Sequence, residues 1–254
     1  MAEGKAGRRV LILGGSAEAA ELARLANAAL SSRAEVISSL AGRLKPAQVL
    51  PGTMRIGGFG GASGLAEYLN KESIDLVIDA THPFAETISA HAHDACDRAG
   101  VPRLMLIRPP WRLPGGGKWI EVDDMAAAAQ MLPRVGRRVF LTVGASGLEA
   151  FSHIEGVHFL VRLIEDPGTP LALADYELVT GRPPHSLESE RALFEGHHID
   201  TLVAKHSGGG ATVGKIAAAL EVEARIILIR RPLPEPGEVV ETPAEALSWL
   251  EKRV

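Results

Sequence analysis

The chain is poor in the residues that would announce several common functions. One cysteine, Cys96, stands among 254 residues, so no internal disulfide can form and a reducing compartment suits the protein. Aromatic residues make up 4%, too few for the stacking platforms that bind single-stranded nucleic acid. Neither sign of charge dominates: 27 Lys and Arg against 31 Asp and Glu leave a net −4, with the signs interspersed. That balance argues against a nucleic-acid or membrane-surface partner. No apolar run approaches the roughly 18 residues of a membrane span, and the first, Val10 to Leu13 after two arginines, is too short for a signal peptide. A soluble, cytoplasmic protein is expected. There is no H-E-x-x-H, no paired-cysteine spacing and no G-x-S-x-G elbow, so neither a metal centre nor that serine nucleophile is expected.

What is present is alternation. Short apolar runs predict strands near 9–13, 34–39, 54–57, 75–80, 103–108 and 119–122, and amphipathic stretches predict helices over 17–30, 62–71, 84–99 and 123–132. Strands that alternate with helices form βαβ units and a parallel sheet, and their unbroken hydrophobicity suits strands covered on both faces. The second half then echoes the first. RRVLILGGSAEAAEL resembles RRVFLTVGASGLEAF, and ESIDLVIDATHPF resembles HHIDTLVAKHSGG. VPRLMLIRPPW resembles EARIILIRRPL, and KWIEVDDMAAAAQML resembles EVVETPAEALSWL. All four pairs keep their order at a displacement of about 120–130 residues, which points to duplication. The expected architecture is α/β: two similar Rossmann-like, doubly wound parallel-sheet domains with a ligand cleft between them. Pro133 and Gly136 interrupt a helix and suggest the boundary, giving domains 1–133 and 134–254.

The chemistry-bearing residues fall after the predicted strands, where open α/β sheets bind ligands. Gly14-Gly15-Ser16 follows the first strand and opens a helix. This is the place of a dinucleotide loop, although the spacing departs from G-x-G-x-x-G and Glu18 brings a negative charge. A tight turn with Ser16 as N-cap is the alternative. An NAD site puts a carboxylate after the second strand; here stand Ser38-Ser39 and, four residues on, Arg43. Hydroxyls with a guanidinium suit a 2′-phosphate, which favours NADPH over NADH. Four glycines among residues 56–61 allow a backbone, Gly60 included, to approach a flat ligand.

Thr81-His82-Pro83-Phe84 ends a buried strand. Pro83 suits a first helical position, so Thr81 or His82 is expected to cap the helix, with the Phe84 and Ala85 N–H groups open to the cleft. The corresponding corner of the second half is Lys205-His206-Ser207-Gly208-Gly209, a composition that suits anions. A P-loop is excluded, because Ile216 stands where magnesium needs a hydroxyl. Cys96 continues the apolar stripe of its helix and reads as core.

Taken together, ILGGSAEAAELA, GGFGGASGLAEYL, VIDATHPFAETIS, LIRPPW, the Lys205 corner and the late IRRP resemble the precorrin-6A reductase family (CobK/CbiJ) of cobalamin biosynthesis over nearly the whole chain. Two local departures are His206, where the family usually has asparagine, and Gly181-Arg182-Pro183-Pro184-His185, where it usually has Gly-Arg-Gly-Pro-Phe. The resemblance implies an oxidoreductase in which NADPH reduces one double bond of precorrin-6A, or its cobalt form, to the 6B product. The substrate would be a broad tetrapyrrole fringed with carboxylates, and the resemblance leaves room for hand-over contacts with neighbouring pathway enzymes. The cofactor is then assigned to Gly14, Gly15, Ser16, Ser38, Arg43, Gly60 and Thr81, and the substrate to Arg108, Trp111, Arg182, Lys205, Ser207 and Gly208. His82 is the candidate proton donor, the alternative being a substrate that carries its own acidic N–H groups. An oxidoreductase acting on another anionic substrate, or a non-catalytic NADPH sensor, would share the first half of this pattern.

Overall fold

The computed structural model describes residues 7–42, 49–115 and 118–254. These form two compact units, Met1–Pro109 with Pro232–Val254, and Pro110–Arg231.

The first unit is built on β1 (Arg8–Leu13), β2 (Ala34–Leu40), β3 (Thr53–Ile56), β4 (Leu76–Asp79) and β5 (Arg103–Leu106), joined by α1 (Ala17–Leu30), α2 (Gly61–Lys71) and α3 (Glu86–Ala99). Its sheet also takes a sixth strand from near the end of the chain, β12 (Glu238–Val240), and runs β12-β5-β4-β1-β2-β3, parallel throughout. The run-on hydrophobicity of β1 now has its reason. Val10 and Ile12 face a layer made by α1 and the C-terminal helix α7 (Pro243–Glu251), through Leu22, Ala26, Trp249 and Leu250. Leu11 and Leu13 face the opposite layer, with Leu65 and Leu69 of α2 and Ala92 and Cys96 of α3. Successive strand side chains point to opposite faces, so a sheet covered on both sides needs apolar residues at every position.

The second unit repeats the plan. Its strands are β6 (Trp119–Val122), β7 (Arg138–Thr142), β8 (His158–Leu163), β9 (Tyr176–Thr180), β10 (Thr201–Lys205) and β11 (Arg225–Ile229). They run β6-β11-β10-β7-β8-β9, again all parallel. Helices α4 (Met125–Val135), α5 (Leu187–Gly196) and α6 (Gly214–Glu221) complete it. Phe140, Leu202, Leu228, Phe194 and Ile216 form its core on the α5–α6 face.

The domain boundary differs from the expected one. Each repeat has five strands and a closing βα element, and the closing elements are exchanged: β6 and α4 belong to the second unit, β12 and α7 to the first. The segments that carry the chain across are proline-rich, Pro109-Pro110-Trp111-Arg112-Leu113-Pro114 and Pro232-Leu233-Pro234-Glu235-Pro236. Proline holds the backbone extended and cannot join a sheet ladder, so neither segment turns back onto its own sheet. Pro133, by contrast, lies in the last turn of α4, and Gly136 closes that helix by donating its N–H to Leu132 O at 2.9 Å. The pair marks a helix end.

Candidate active site

In each sheet the strand order reverses beside the first strand of the repeat, which is where open α/β sheets bind their ligands. In the first unit this switch lies between β1 and β4. The loops leaving them are tied together: Ser16 accepts from Ala19 N at 3.0 Å as N-cap of α1 and donates its hydroxyl to Ala80 O at 2.7 Å. Gly14 N–H donates to Ser39 O at 2.9 Å, linking the loop to β2. Gly15 has φ 115° with open space around its Cβ position, so the turn itself requires glycine there. The charge of Glu18 is met by Arg108, whose Nη1 lies 2.7 Å from Oε2. Arg108, expected on the substrate side, thus stands in the first unit at the α1 N-terminus.

The Thr81–Phe84 corner departs from the expected cap. Helix α3 begins only at Glu86, and its N-cap Ala85 offers no side-chain bond. Pro83 sits instead at the second position of a turn closed by Ala85 N to His82 O at 2.7 Å. Phe84 N–H donates to His82 Nδ1 at 3.2 Å, so neither N–H is open to a ligand. Because Nδ1 accepts, the neutral imidazole carries its hydrogen on Nε2. It can donate a hydrogen bond there. Thr81 is held by a residue the sequence had not singled out: buried Asp79 accepts from its hydroxyl at 2.7 Å and its N–H at 3.2 Å. The signal was a carboxylate at the end of an otherwise apolar strand.

On β2, the Ser38 hydroxyl is buried with no partner among the described residues. Its neighbour Ser39 lies on the other face of β2, in register with Arg55 of β3. Arg55, also not anticipated, donates from Nη1 to Ser39 Oγ at 3.3 Å and to Gly57 O, and from Nη2 to Gly58 O at 2.7 Å. Its guanidinium carbon lies 3.7 Å from the centroid of the Phe59 ring. Gly60, with φ 81°, caps α2. Arg43 falls outside the described residues. Open glycine backbone and an arginine at the β2–β3 edge form a donor set that suits an anion such as a dinucleotide phosphate.

The second unit is built differently at its switch point. After β7 there is no long helix, only two short 3₁₀ turns, Ala145–Gly147 and Glu149–Phe151. A Cβ on Gly147 would meet Val143 at 2.9 Å, so that loop is filled by its own side chains. Beyond β10, Gly208 and Gly209 take φ 67° and 83°, and Gly209 O accepts from Trp111 Nε1 at 2.8 Å. Burial pushes the Lys205 ammonium below its usual range, and Ser207 beside it is buried. His206 lies 2.9 Å from Glu121 Oε1 through Nδ1, 3.1 Å from Trp111 O through Nε2, and packs its ring on the Trp111 indole at 5.9 Å. Those contacts hold the Glu121 carboxyl below the usual carboxylate range, with Arg230 adding to the effect.

Trp111, 9% exposed, is thus largely packing. Arg182 pairs with Glu165 across the surface. Two further features were not foreseen. Lys215, 7% exposed on α6, has its ammonium 5.9 Å from the Trp111 ring. Arg162 of β8 makes a bidentate pair with Glu190 of α5 at 2.6 and 2.9 Å. The described residues contain no group of three or more His, Cys, Asp or Glu able to hold a metal ion, and no helix long and apolar enough to cross a membrane.

Compared with known proteins, residues 9–251 match the family model described as precorrin-6x reductase CbiJ/CobK. The chain belongs to that family. It is 43% identical over 245 residues to a precorrin-6A reductase of Rhodococcus erythropolis, covering 95% of this chain and 97% of that protein. A solved structure titled CobK precorrin-6A reductase superposes with a TM-score of 0.89 at 38% identity, covering 96% of each chain. A cobalt-precorrin-6A reductase of Synechocystis is 32% identical over 189 residues, covering 70% of this chain and 71% of that protein. The family therefore spans both units and both corners.

Proposed function

We propose that this protein reduces precorrin-6A to precorrin-6B in cobalamin biosynthesis, with NADPH as hydride source and the cobalt-free macrocycle as substrate. The observation that carries the reading is the 43% identity to a precorrin-6A reductase along nearly the full length of both chains. The lower, partial identity to the cobalt-precorrin enzyme favours the metal-free form.

The first unit takes the cofactor. Only there does the switch point open onto a 14-residue helix, and the Glu18–Arg108 pair removes the negative charge that would repel a phosphate. Bound there, the reduced nicotinamide supplies a hydride. Gly14, Gly15 and Ser16 receive the pyrophosphate, while Thr81, held by Asp79, and His82, through Nε2–H, orient the ring end. The second unit takes the substrate: Lys205, Ser207 and Gly208 face its carboxylates, with Arg182 and Trp111 shaping the approach. The macrocycle accepts the hydride with a nitrogen already protonated from solvent, so proton and hydride together add two hydrogens and the side chains are left the work of positioning. Holding donor and acceptor in a near-attack geometry can supply roughly 7–11 kcal/mol of the barrier.

The test is turnover of precorrin-6A with NADPH under anaerobic conditions, followed as loss of reduced nicotinamide and as a gain of two hydrogens in the product mass. Lys205→Ala should raise the Michaelis constant for the macrocycle about 10- to 100-fold, the worth of one charge-assisted bond. No turnover of precorrin-6A alongside turnover of its cobalt form would reverse the substrate choice. An unchanged Michaelis constant would remove Lys205 from the site.

A further inference from the structure

Arg55 and the glycine beside it are not explained by the fold. Arg55 has no carboxylate within ion-pair distance among the described residues, although it stands at the carboxyl end of the β2–β3 edge, where an NAD site keeps an acid. Three of its five N–H donors hold Ser39, Gly57 and Gly58. The engaged nitrogens are Nη1 and Nη2, so Nε–H and one hydrogen of Nη2 have no partner among the described residues. A guanidinium that keeps donors in reserve can grip a phosphate oxygen through charge-assisted bonds. One face of the guanidinium is fixed on the Phe59 ring, and the carbonyls fix its rotation. A charge held this firmly is organised before any ligand arrives.

Gly58 gives an independent indication. Gly57, Gly60 and Gly61 have positive φ and need to be glycine for the turn. Gly58 does not: its φ lies outside that region, and a Cβ there would meet nothing within 4 Å. Neither a positive φ nor a crowding neighbour calls for glycine at this position. What remains is a ligand lying against the backbone.

We propose that Arg55 recognises the 2′-phosphate of the dinucleotide and that the adenosine ribose lies on the backbone of Gly58. This deepens the cofactor reading above and rests on it. Among the described residues Arg55 is then the one that selects NADPH over NADH, with Ser39 and the Gly57 and Gly58 carbonyls as its frame.

Titration calorimetry on the full-length protein tests this with NADPH and NADH separately. Arg55→Gln should weaken NADPH about 10- to 100-fold and leave NADH within about twofold. Arg55→Lys, which keeps the charge and loses the fork, should fall between Arg55→Gln and the parent. Gly58→Ala should weaken both dinucleotides together by about tenfold or more at an unchanged melting temperature, since the added methyl meets no protein atom within 4 Å. Equal losses for the two dinucleotides in Arg55→Gln, or none, would make Arg55 a loop clamp only and overturn its role in selection. Unaltered affinity in Gly58→Ala would overturn the ribose placement. If the parent protein binds neither dinucleotide, the underlying cofactor reading fails instead, a result distinct from any of the variant outcomes.

Discussion

Glu190 is the most deeply buried charge in the second unit, and its loss should be expensive. Its side chain is 1% exposed and that of Arg162 is 11% exposed, and the two meet through bonds of 2.6 and 2.9 Å. Glu190→Ala would leave a buried guanidinium with its main partner gone. Breaking a buried pair from one side typically costs about 3–5 kcal/mol. The Phe140 ring, 4.6 Å from the Arg162 guanidinium carbon, offsets part of that, since a cation over an aromatic face contributes about 0.5–2 kcal/mol. The expected net loss is about 3 kcal/mol, or roughly 6–12 °C of melting temperature for a chain of this size. Urea titration followed by circular dichroism reads it directly. The double variant Arg162→Met/Glu190→Leu should recover most of the loss, because apolar residues of similar volume replace a buried pair at little or no net cost. A loss below about 1 kcal/mol in the single variant, or a double variant no better than the single, would refute the idea that an uncompensated charge sets the effect. The pair sits under the entry to α6, where a Cβ on Gly214 would lie 3.4 Å from Glu190 Cγ and 2.9 Å from His185 O. Loosening it should therefore also slacken the approach to the Lys205 corner.

Two further outcomes follow from the geometry. Gly64→Ala should destabilise the first unit by about 1–3 kcal/mol and weaken dinucleotide binding, because the new methyl would overlap the Phe59 carbonyl that closes the glycine loop over α2; thermal melts beside the well-tolerated Gly58→Ala check this. Stability should fall on the acid side. Burial depresses His185 below 6.5, and contacts led by the His206 hydrogen bond depress Glu121 below 4.5, so the unfolded chain binds more protons in both ranges. The urea midpoint should drop as pH falls below 6.5 through the folded value of His185, and drop again below 4.5 through that of Glu121; His185→Gln should flatten the first step and leave the second.

Much of the fold is legible locally. The strand at Val10–Leu13, the Ser16 cap and the four echoed segments all rest on patterns within a dozen residues, and the structure reproduces them. The exchange of the closing elements is not local. Trp119–Val122 followed by a helix has the same pattern whichever sheet it joins, and only the prolines at 109, 110 and 114 hint that the chain travels on. The corner after β4 misled for a related reason. Pro83 has the same φ at the first position of a helix and in a turn, and the choice fell to the hydrogen bonds His82 makes with Phe84 and Ala85. Arg55 was hidden because a basic residue within a short strand reads as a solvated edge. Only the strand register sets it against Ser39.

The exchanged ends bear on how the protein is made. Helix α1 has Trp249 and Leu250, made long after it, among its packing partners, and β5 receives β12 from the same late segment. Until residues 232–254 leave the ribosome, the first sheet therefore lacks its edge strand and α1 lacks part of its apolar cover. Loss of residues 232–254 would therefore damage the first unit while every residue of the second is still made.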